Sequence, residues 1–246
     1  MNLLYHRLTT KSIKDIINGF KKRADIKKAI KSRESIINEY LKNNDVTKLQ
    51  LGCGPSPIHG WLNTDLDHNE KTVFMDAGSI YPLNNETIDY IFSEHLFEHL
   101  TFDQERTMLS ECFRVLKKGG KMRIATPNLD FLMGLKKEKS NLHFDYIVHA
   151  IKNQWNLREV KEHFDEKDYN EVFVINNFFK DWGHHIIHNY SSLELMLKKA
   201  GFSVVTREKV GKSSDSVFDN IEQHGKQITD KFNLLETMIV ESVKGA

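Results

Sequence analysis

The sequence predicts an α/β protein: a doubly wound, mostly parallel sheet of about seven strands with helices on both faces. Short apolar runs of strand length recur between residues 46 and 125 and again near the end of the chain. Segments with the 3.6-residue period of amphipathic helices separate them, and this alternation is typical of a parallel sheet. The first run ends in Gly52-Cys53-Gly54, a turn in which glycine lets a ligand approach bare backbone.

Length and composition predict one large domain with additions. The chain has 246 residues, of which 39% are hydrophobic, and its formal net charge of +1 does not call for a polyanionic partner. Cys53 and Cys112 are too few for a disulfide framework, which favours a reducing, cytoplasmic location. The first residues lack the apolar core of a signal peptide, and no run approaches the ~20 apolar residues of a membrane span.

A basic helix is predicted over residues 11–42, within an N-terminal extension (1–45) that precedes the main domain (46–246). Apolar residues follow helical spacing there, and the segment carries ten Lys or Arg against four acidic residues. Its basic face, which includes Arg23 and Lys27, has two interpretations. It is either a solvated face of a helix packed beside the sheet, or a contact for acidic lipid at the inner membrane face or for nucleic acid.

Five strands and one helix are predicted in the first half of the main domain. The strands are Val46–Leu51, Leu62–Asp65, Thr72–Met75, Ile88–Ser93 and Lys121–Ala125. A single turn joins the first two, because the connection contains Pro55 and Pro57 and is too short for a crossover helix. A helix is predicted over Thr101–Lys117, since Thr101 and Gln104 form a capping-box pattern at its start and glycines follow its end.

The second half is predicted to begin with an insertion. Residues 129–183 contain ten Phe, Tyr and Trp residues interleaved with charges and do not fit the alternation, so they predict a helical insertion at the carboxyl edge of the sheet. A helix over Ser191–Ala200 and a strand over Phe202–Val205 follow. Residues 211–233 are polar and are predicted to form a loop, and Met238–Val243 is the last predicted strand.

Glycines and polar side chains stand at the ends of the first four strands. They are Gly52 with Gly54, then Asp65, then Asp76, and finally Glu94 with His95. Ligands of open α/β sheets bind at the carboxyl ends of the strands. These residues therefore converge on one site if their strands are neighbours.

The order and spacing of these motifs resemble class I S-adenosylmethionine-dependent methyltransferases. The matching text is Leu51-Gly-Cys-Gly54, Asn63-Thr-Asp65, Asp76-Ala77, Ile88–Leu100 and Phe113–Gly120. More narrowly, the Gly-Trp-Leu-Asn-Thr-Asp block and the paired histidines before the last helix are similar to a bacterial group of small-molecule or glycan methyltransferases. The resemblance implies a Rossmann-like fold and S-adenosylmethionine as cofactor, but it says little about the acceptor. The predicted acceptor is a small-molecule or glycan-linked hydroxyl, ahead of a carboxyl or amine.

The resemblance also implies which residues bind the cofactor. They are Gly52, Cys53 and Gly54 at the methionine end, Asp65 at the ribose hydroxyls, Asp76 and Ala77 at the adenine, and Glu94 near the sulfonium. Because a sulfonium is already an activated leaving group, the enzyme mainly needs alignment and a group that removes the acceptor's proton.

Histidines are the natural candidates for that proton, with an ordinary pKa of ~6.5. His95 and His185 are the candidate catalytic bases, and Glu98 is expected to orient a histidine. The acceptor is expected to contact His184, His188 and Tyr190, beneath a lid formed by the aromatic insertion. In the polar segment 211–233, called the tail from here on, Asp215, Glu222 and His224 are further candidates for the acceptor pocket. No metal site is predicted.

Other enzyme classes fit less well. His95-Leu-Phe-Glu98-His99 matches the H-x-x-E-H signature of inverted zinc proteases, but its first histidine falls at a strand end rather than on a helix. A nicotinamide dehydrogenase would have a third glycine where Pro57 stands. A metal cluster of the histidines at 184, 185 and 188 lacks a supporting Cys or Asp pattern.

Two alternatives stay open within the predicted fold. One is an RNA-directed methyltransferase that uses the basic helix, and the other is a non-catalytic binding protein that retains the fold. Methylation of base amino groups is disfavoured because the fourth strand ends in Ser-Glu-His-Leu rather than in an Asn/Asp-Pro-Pro motif. Methylation at cytosine C5 is disfavoured because no cysteine ends the fourth or fifth strand.

Overall fold

The computed structural model describes residues 5–138 and 140–245, with side chains from Arg23 onward. Its strands are β1 (Lys48–Leu51), β2 (Leu62–Asp65), β3 (Val73–Phe74), β4 (Ile88–Glu94), β5 (Leu116–Pro127), β6 (Val204–Glu208) and β7 (Thr237–Val243). They form one seven-stranded sheet in the order β3-β2-β1-β4-β5-β7-β6. The first five strands pair in parallel, and β7 is antiparallel to β5 and β6. The predicted fold class is confirmed.

Helices flank the sheet and fill the predicted insertion. They are α1 (Tyr5–Asn43), α2 (Phe102–Val115), α3 (Leu129–Lys137), α4 (Asn141–Asn153), α5 (Arg158–His163), α6 (Glu171–Lys180), α7 (Tyr190–Ala200), α8 (Gly225–Ile228) and α9 (Asp230–Glu236). Short 3₁₀ turns lie at Phe97–His99, Trp155–Leu157 and Glu166–Asp168. Helices α3 to α6 occupy residues 129–183, here called the insertion.

The boundary between α2 and β5 differs from the prediction. The capping box at the start of α2 is present, with Thr101 and Gln104 bonding each other's backbone N–H. The helix ends earlier than predicted because Leu116 takes an extended conformation (φ −65°, ψ 136°) and pairs with Ile88 across to β4. The glycines predicted to end α2 therefore lie within β5, where Gly119 adopts φ +76°.

The tail also differs from the prediction. Residues 211–233 were expected to form a loop, but α8 and α9 occupy its second part. Phe232 is buried there against Tyr146 of the insertion, with ring centroids 5.5 Å apart. The local sequence of this polar segment does not indicate a helix. Tertiary packing of Phe232 can stabilise a helix there even though the local helical propensity is weak.

The main hydrophobic core lies between the sheet and its flanking helices. Leu49, Ile91 and Leu109 are among its fully buried residues, and burying one such side chain contributes about 1.5–3 kcal/mol. The insertion has a core of its own, which Phe232 of α9 joins. The tail packs against the insertion through Phe232 and against the sheet through Phe218, which shares a buried cluster with Phe92 of β4.

The long helix α1 reaches the main core through Ile37, which is 1% exposed. Arg23 and Lys27 are exposed, whereas the side chains of residues 11–22 lie outside the described residues. Both interpretations of the basic face stay predictions. Within the part of the chain that the structure describes, no helix combines the length and apolar character needed to cross a membrane.

Candidate active site

A cavity of about 690 Å³ opens where β1 and β4 end. The glycine turn after β1 forms one wall, and residues from the insertion and the tail form the others. Since β1 and β4 are paired in parallel, their carboxyl ends meet at this edge. The lining residues are Gly52, Cys53, Gly54, Pro55, Ser56, Glu94, His95, Glu98, His99, His149, Asn153, Gln154, Phe178, Trp182, His184, His224, Gln227, Ile228 and Glu236.

The glycine turn brings backbone into the cavity as predicted. Gly52 and Gly54 adopt φ +62° and +50°, which glycine tolerates without steric cost. A Cβ on Gly52 would lie 2.8 Å from the Leu96 side chain, so the turn leaves no room for one. The N–H of Gly54 donates to Asp65 Oδ2 at 2.9 Å, which joins the ends of β1 and β2.

The two aspartates predicted to bind the nucleoside stand at the neighbouring strand ends, beyond the cavity lining. Asp65 also accepts from the N–H of Asp67, and a carboxylate has about four lone-pair sites, so two remain for ribose hydroxyls. Asp76 follows β3 and bonds the N–H of Gly78 and the hydroxyl of Ser79. The strand order places Asp65 next to the glycine turn and Asp76 one strand further away, on the same edge of the sheet.

Glu94 lines the cavity, but its carboxylate is held by the tail. The N–H groups of Gln223 and His224 donate to it at 2.9–3.0 Å. This anchors the start of α8 over the end of β4. The expected contact between Glu94 and the cofactor stays a prediction, because the structure gives this carboxylate a role in positioning the tail.

His95 stands at the end of β4 as predicted, in a strained conformation with φ +47°. Its Nδ1 lies 3.1 Å from Glu98 Oε1, and its Nε2 lies 3.3 Å from Thr237 Oγ1, whose own proton goes to Asn233. Both ring nitrogens therefore face acceptors. Burial opposes protonation, but the carboxylates of Glu98, Glu236 and Glu94 outweigh it and raise the pKa of His95. With both ring nitrogens engaged in these contacts, neither is directed at the proton of an acceptor.

Glu98 bonds the ring of His95, and its predicted role in catalysis stays a prediction. Its side chain is fully buried, and Oε2 accepts from the Thr126 hydroxyl at 3.1 Å. Burial alone would raise the pKa of Glu98, but the bond and charge of His95 more than offset this and lower it.

The rings of His184 and His99 are in edge-to-face contact within the wall of the cavity. Their ring centroids are 4.8 Å apart at 72°. His184 Nδ1 lies 2.7 Å from the carbonyl oxygen of Phe178, so Nδ1 carries the proton and Nε2 keeps its lone pair. Burial lowers the pKa of His184, which keeps the ring neutral. One free imidazole nitrogen is thus fixed at the insertion side of the cavity.

The structure does not bring the other predicted histidines to the cavity. The side chain of His185 is exposed, because its backbone N–H binds the carbonyl of Glu98 and turns the ring away. His188 is buried between α2 and α7, where it bonds Glu105 and Ser192. Tyr190 reaches the carbonyl of Val205 at β6. The predicted base role of His185 and the predicted acceptor contacts of His188 and Tyr190 therefore lack geometric support.

The tail candidates also separate. His224 lines the cavity, bonds Glu236 at 3.1 Å and stacks on His95. Asp215 pairs instead with Lys121, and Glu222 pairs with the buried Arg123. These two carboxylates hold the tail to β5 rather than line the cavity.

Several lining residues were not predicted from the sequence. His149, Asn153 and Gln154 come from α4 and its end, and Glu236 comes from the end of α9. The spacing of His149 and Asn153, four residues apart on a predicted helix, places them on one face. This spacing could have indicated that the two side chains act together. No local sequence pattern indicated that their helix face lies toward the glycine turn.

Residues 49–124 match a family model described as a methyltransferase domain. The match runs from β1 to β5 and covers less than half of the chain. The match confirms the predicted enzyme class, an S-adenosylmethionine-dependent methyltransferase, and with it the predicted cofactor. The acceptor and the narrower bacterial group are not identified by it, and no curated protein sequence matches the chain.

Solved structures of methyltransferases resemble the chain at low identity. An S-adenosylmethionine-dependent methyltransferase from Archaeoglobus fulgidus has 18% identity and a TM-score of 0.48, over 87% of this chain and 93% of that one. One from Thermotoga maritima has 15% identity and a TM-score of 0.42, over 86% and 97%. A phosphoethanolamine N-methyltransferase from Haemonchus contortus, with S-adenosylhomocysteine bound, has 16% identity and a TM-score of 0.41, over 85% and 53%. The fold assignment rests on the sheet order of this chain, not on these scores.

Proposed function

We propose that this protein transfers a methyl group from S-adenosylmethionine to a hydroxyl of a small-molecule or glycan-linked acceptor. The observation that carries the proposal is the shape of one cavity. One wall is the glycine turn after β1, and another is formed by the imidazoles of His99 and His184 together with aromatic rings of the insertion. A cofactor on the turn would point its sulfonium at an acceptor held by the insertion.

The residues expected to touch the acceptor are His99, His184, Phe178 and Trp182. The aromatic rings offer flat apolar faces of the kind that pack against sugar rings or other small molecules. We assign activation of the hydroxyl to the wall formed by Glu98, His99 and His184. His95 is a less suitable base, because both of its ring nitrogens already face acceptors.

The acceptor is inferred to carry no phosphate in the cavity. Among the described residues that line it, none is Lys or Arg. Protein sites that bind phosphate usually supply such a cation. The same argument disfavours an RNA acceptor, although the exposed basic residues of α1 keep that alternative testable.

The test measures transfer of labelled methyl from S-adenosylmethionine to matched pairs of neutral and phosphorylated sugars and polyols, and to RNA. Transfer to neutral hydroxyl compounds, with little salt dependence, would support the proposal. Transfer only to RNA, with binding that collapses as salt rises, would overturn it in favour of the RNA-directed alternative.

A variant pair locates the chemistry. His184→Ala should lower kcat by on the order of 100-fold while leaving cofactor affinity unchanged, since it removes a group that acts only on the acceptor. His163→Ala is the control, because His163 is an exposed histidine of the insertion whose ring contacts a carbonyl of its own helix. Equal kcat in the two variants would contradict the assignment.

A further inference from the structure

We propose that Glu98, His99 and His184 bind a divalent first-row transition-metal ion in the wall of this cavity. As an account of how the acceptor is activated, the proposal rests on the proposed function, but binding of the ion can be measured by itself. The three residues come from two separate parts of the chain, the turn after β4 and the segment that directly follows the insertion.

The donor atoms are close enough to share one ion. One ligand atom from each residue lies within 4.8 Å of those of the other two. Metal ions of this class bind imidazole nitrogen and carboxylate oxygen at about 2.0–2.2 Å, so small rotations of the side chains would complete the contacts. Two imidazoles and one carboxylate suit zinc, cobalt, iron or manganese better than calcium or magnesium, which prefer oxygen alone.

His184 is held as a metal-binding histidine usually is. Such a residue donates its second ring N–H to a carbonyl or carboxylate, which fixes its orientation and tautomer. Nδ1 of His184 meets the carbonyl of Phe178 in this way, at 2.7 Å. The rings of Phe178 and Trp182 pack beside it, with centroids 6.2 and 5.5 Å away.

Glu98 has the supporting bonds expected of a ligating carboxylate. His95 and Thr126 each bond one of its oxygens at 3.1 Å. Carboxylate oxygens have about four lone-pair sites, so these two bonds leave sites for an ion.

An ion here would lie in the wall that we assign to the acceptor. It would therefore stand beside the hydroxyl of a bound acceptor, where a cation can lower the pKa of an oxygen that it binds. The cluster of histidines 184, 185 and 188, which the sequence analysis considered and did not favour as a metal site, is a different set. Only His184 belongs to both.

The experiment titrates CoCl₂ into the full-length protein after dialysis against a chelator, with calorimetry and visible absorption as readouts. We expect one equivalent of Co²⁺ to bind and to give the absorption bands of low-symmetry Co²⁺. His99→Ala and His184→Ala should each weaken binding by at least about 10–100-fold, because loss of a supporting outer-shell partner alone has that effect on metal affinity. His185→Ala, the adjacent exposed histidine, should bind Co²⁺ as the wild type does.

The result that overturns the proposal is wild-type protein that binds no stoichiometric Co²⁺, or binding that survives both His99→Ala and His184→Ala. Circular dichroism of each variant checks that it is folded, and Glu98→Gln gives a further test if a histidine variant is not. Binding of S-adenosylmethionine is measured on the same samples without metal. Intact cofactor binding with no Co²⁺ site would reject the metal and leave the proposed function standing.

Discussion

The imidazole rings of His95 and His224 stack with their centroids 3.7 Å apart and their planes tilted by 31°. His95 ends the strand β4, and His224 starts the tail helix α8. The Glu94 carboxylate binds the backbone at His224, and Glu236 binds its ring. The tail is thus attached to the sheet at the point where β4 meets the cavity.

His224→Ala should loosen the tail without unfolding the sheet, because it removes both the stack and the bond to Glu236. We expect amide exchange over residues 223–236 to rise on the order of tenfold, which corresponds to about 1.4 kcal/mol of local stability. Hydrogen–deuterium exchange with peptide resolution measures this. His163→Ala, an exposed histidine of the insertion, should leave these residues unchanged. Equal exchange in wild type and His224→Ala would show that the stack does not hold the tail.

Gly52→Ala should reduce both stability and cofactor affinity. The change places a residue with a side chain at φ +62° and sets its Cβ 2.8 Å from Leu96. The backbone conformation alone costs about 1–2 kcal/mol, measurable by urea unfolding. The displaced turn should also lose most of its affinity for S-adenosylmethionine.

Gly60→Ala is the matched control for that change. Gly60 also has positive φ (+77°), but the nearest atom to its Cβ would be Lys48 Nζ at 3.9 Å, far from the glycine turn. A similar loss of stability with intact cofactor affinity is expected. If Gly60→Ala abolished binding to the same extent, the effect of Gly52→Ala would reflect general destabilisation instead of the turn.

Asp89 should contribute stability that depends on pH. Burial raises its pKa, but the ammonium of Lys117 at 2.7 Å and two donors of Thr47 more than offset this and lower it. A carboxyl with a lowered pKa stabilises the fold above its unfolded pKa of about 3.9 and loses that contribution as pH falls through its folded pKa. The difference in Tm between wild type and Asp89→Asn should therefore be largest above pH ~4 and shrink below it.

The control for this pH dependence is Asp103→Asn. The Asp103 side chain is 91% exposed and pairs with Arg106, so water screens the interaction. Its Tm difference from wild type should be small at every pH. A gap for Asp89→Asn that does not change between pH 6 and pH 3 would mean that the ionised carboxylate is not what stabilises this region.

The sequence predicted those features that local patterns determine. The strands, the glycine turn and the acidic strand ends follow from residues adjacent in the chain, and parallel pairing brings them to one edge. The side chains that complete the cavity depend on contacts between distant residues. His188 binds Glu105, which is 83 residues away, so its buried role has no local trace.

His184 and His185 illustrate the same limit over a single residue. Both residues follow Gly183, which adopts φ +77°. They differ in the group that forms a hydrogen bond with the backbone of another residue. The ring of His184 binds the carbonyl of Phe178, while the N–H of His185 binds the carbonyl of Glu98. Only the three-dimensional path of the chain decides which imidazole enters the cavity. A sequence that presents both residues as equals cannot make that choice.

Calorimetric titration of S-adenosylmethionine into wild type, Asp65→Ala and Asp67→Ala is the most direct test of the central claim, that the strand ends form one cofactor site. Asp65 bonds the glycine turn at 2.9 Å, whereas the side chain of Asp67 is exposed two residues further on. We expect one equivalent to bind wild type and Asp67→Ala alike, and Asp65→Ala to bind at least about tenfold more weakly, a loss of about 1.4 kcal/mol or more. Wild-type protein that does not bind the cofactor, or Asp65→Ala that binds it as tightly as wild type, would contradict the account.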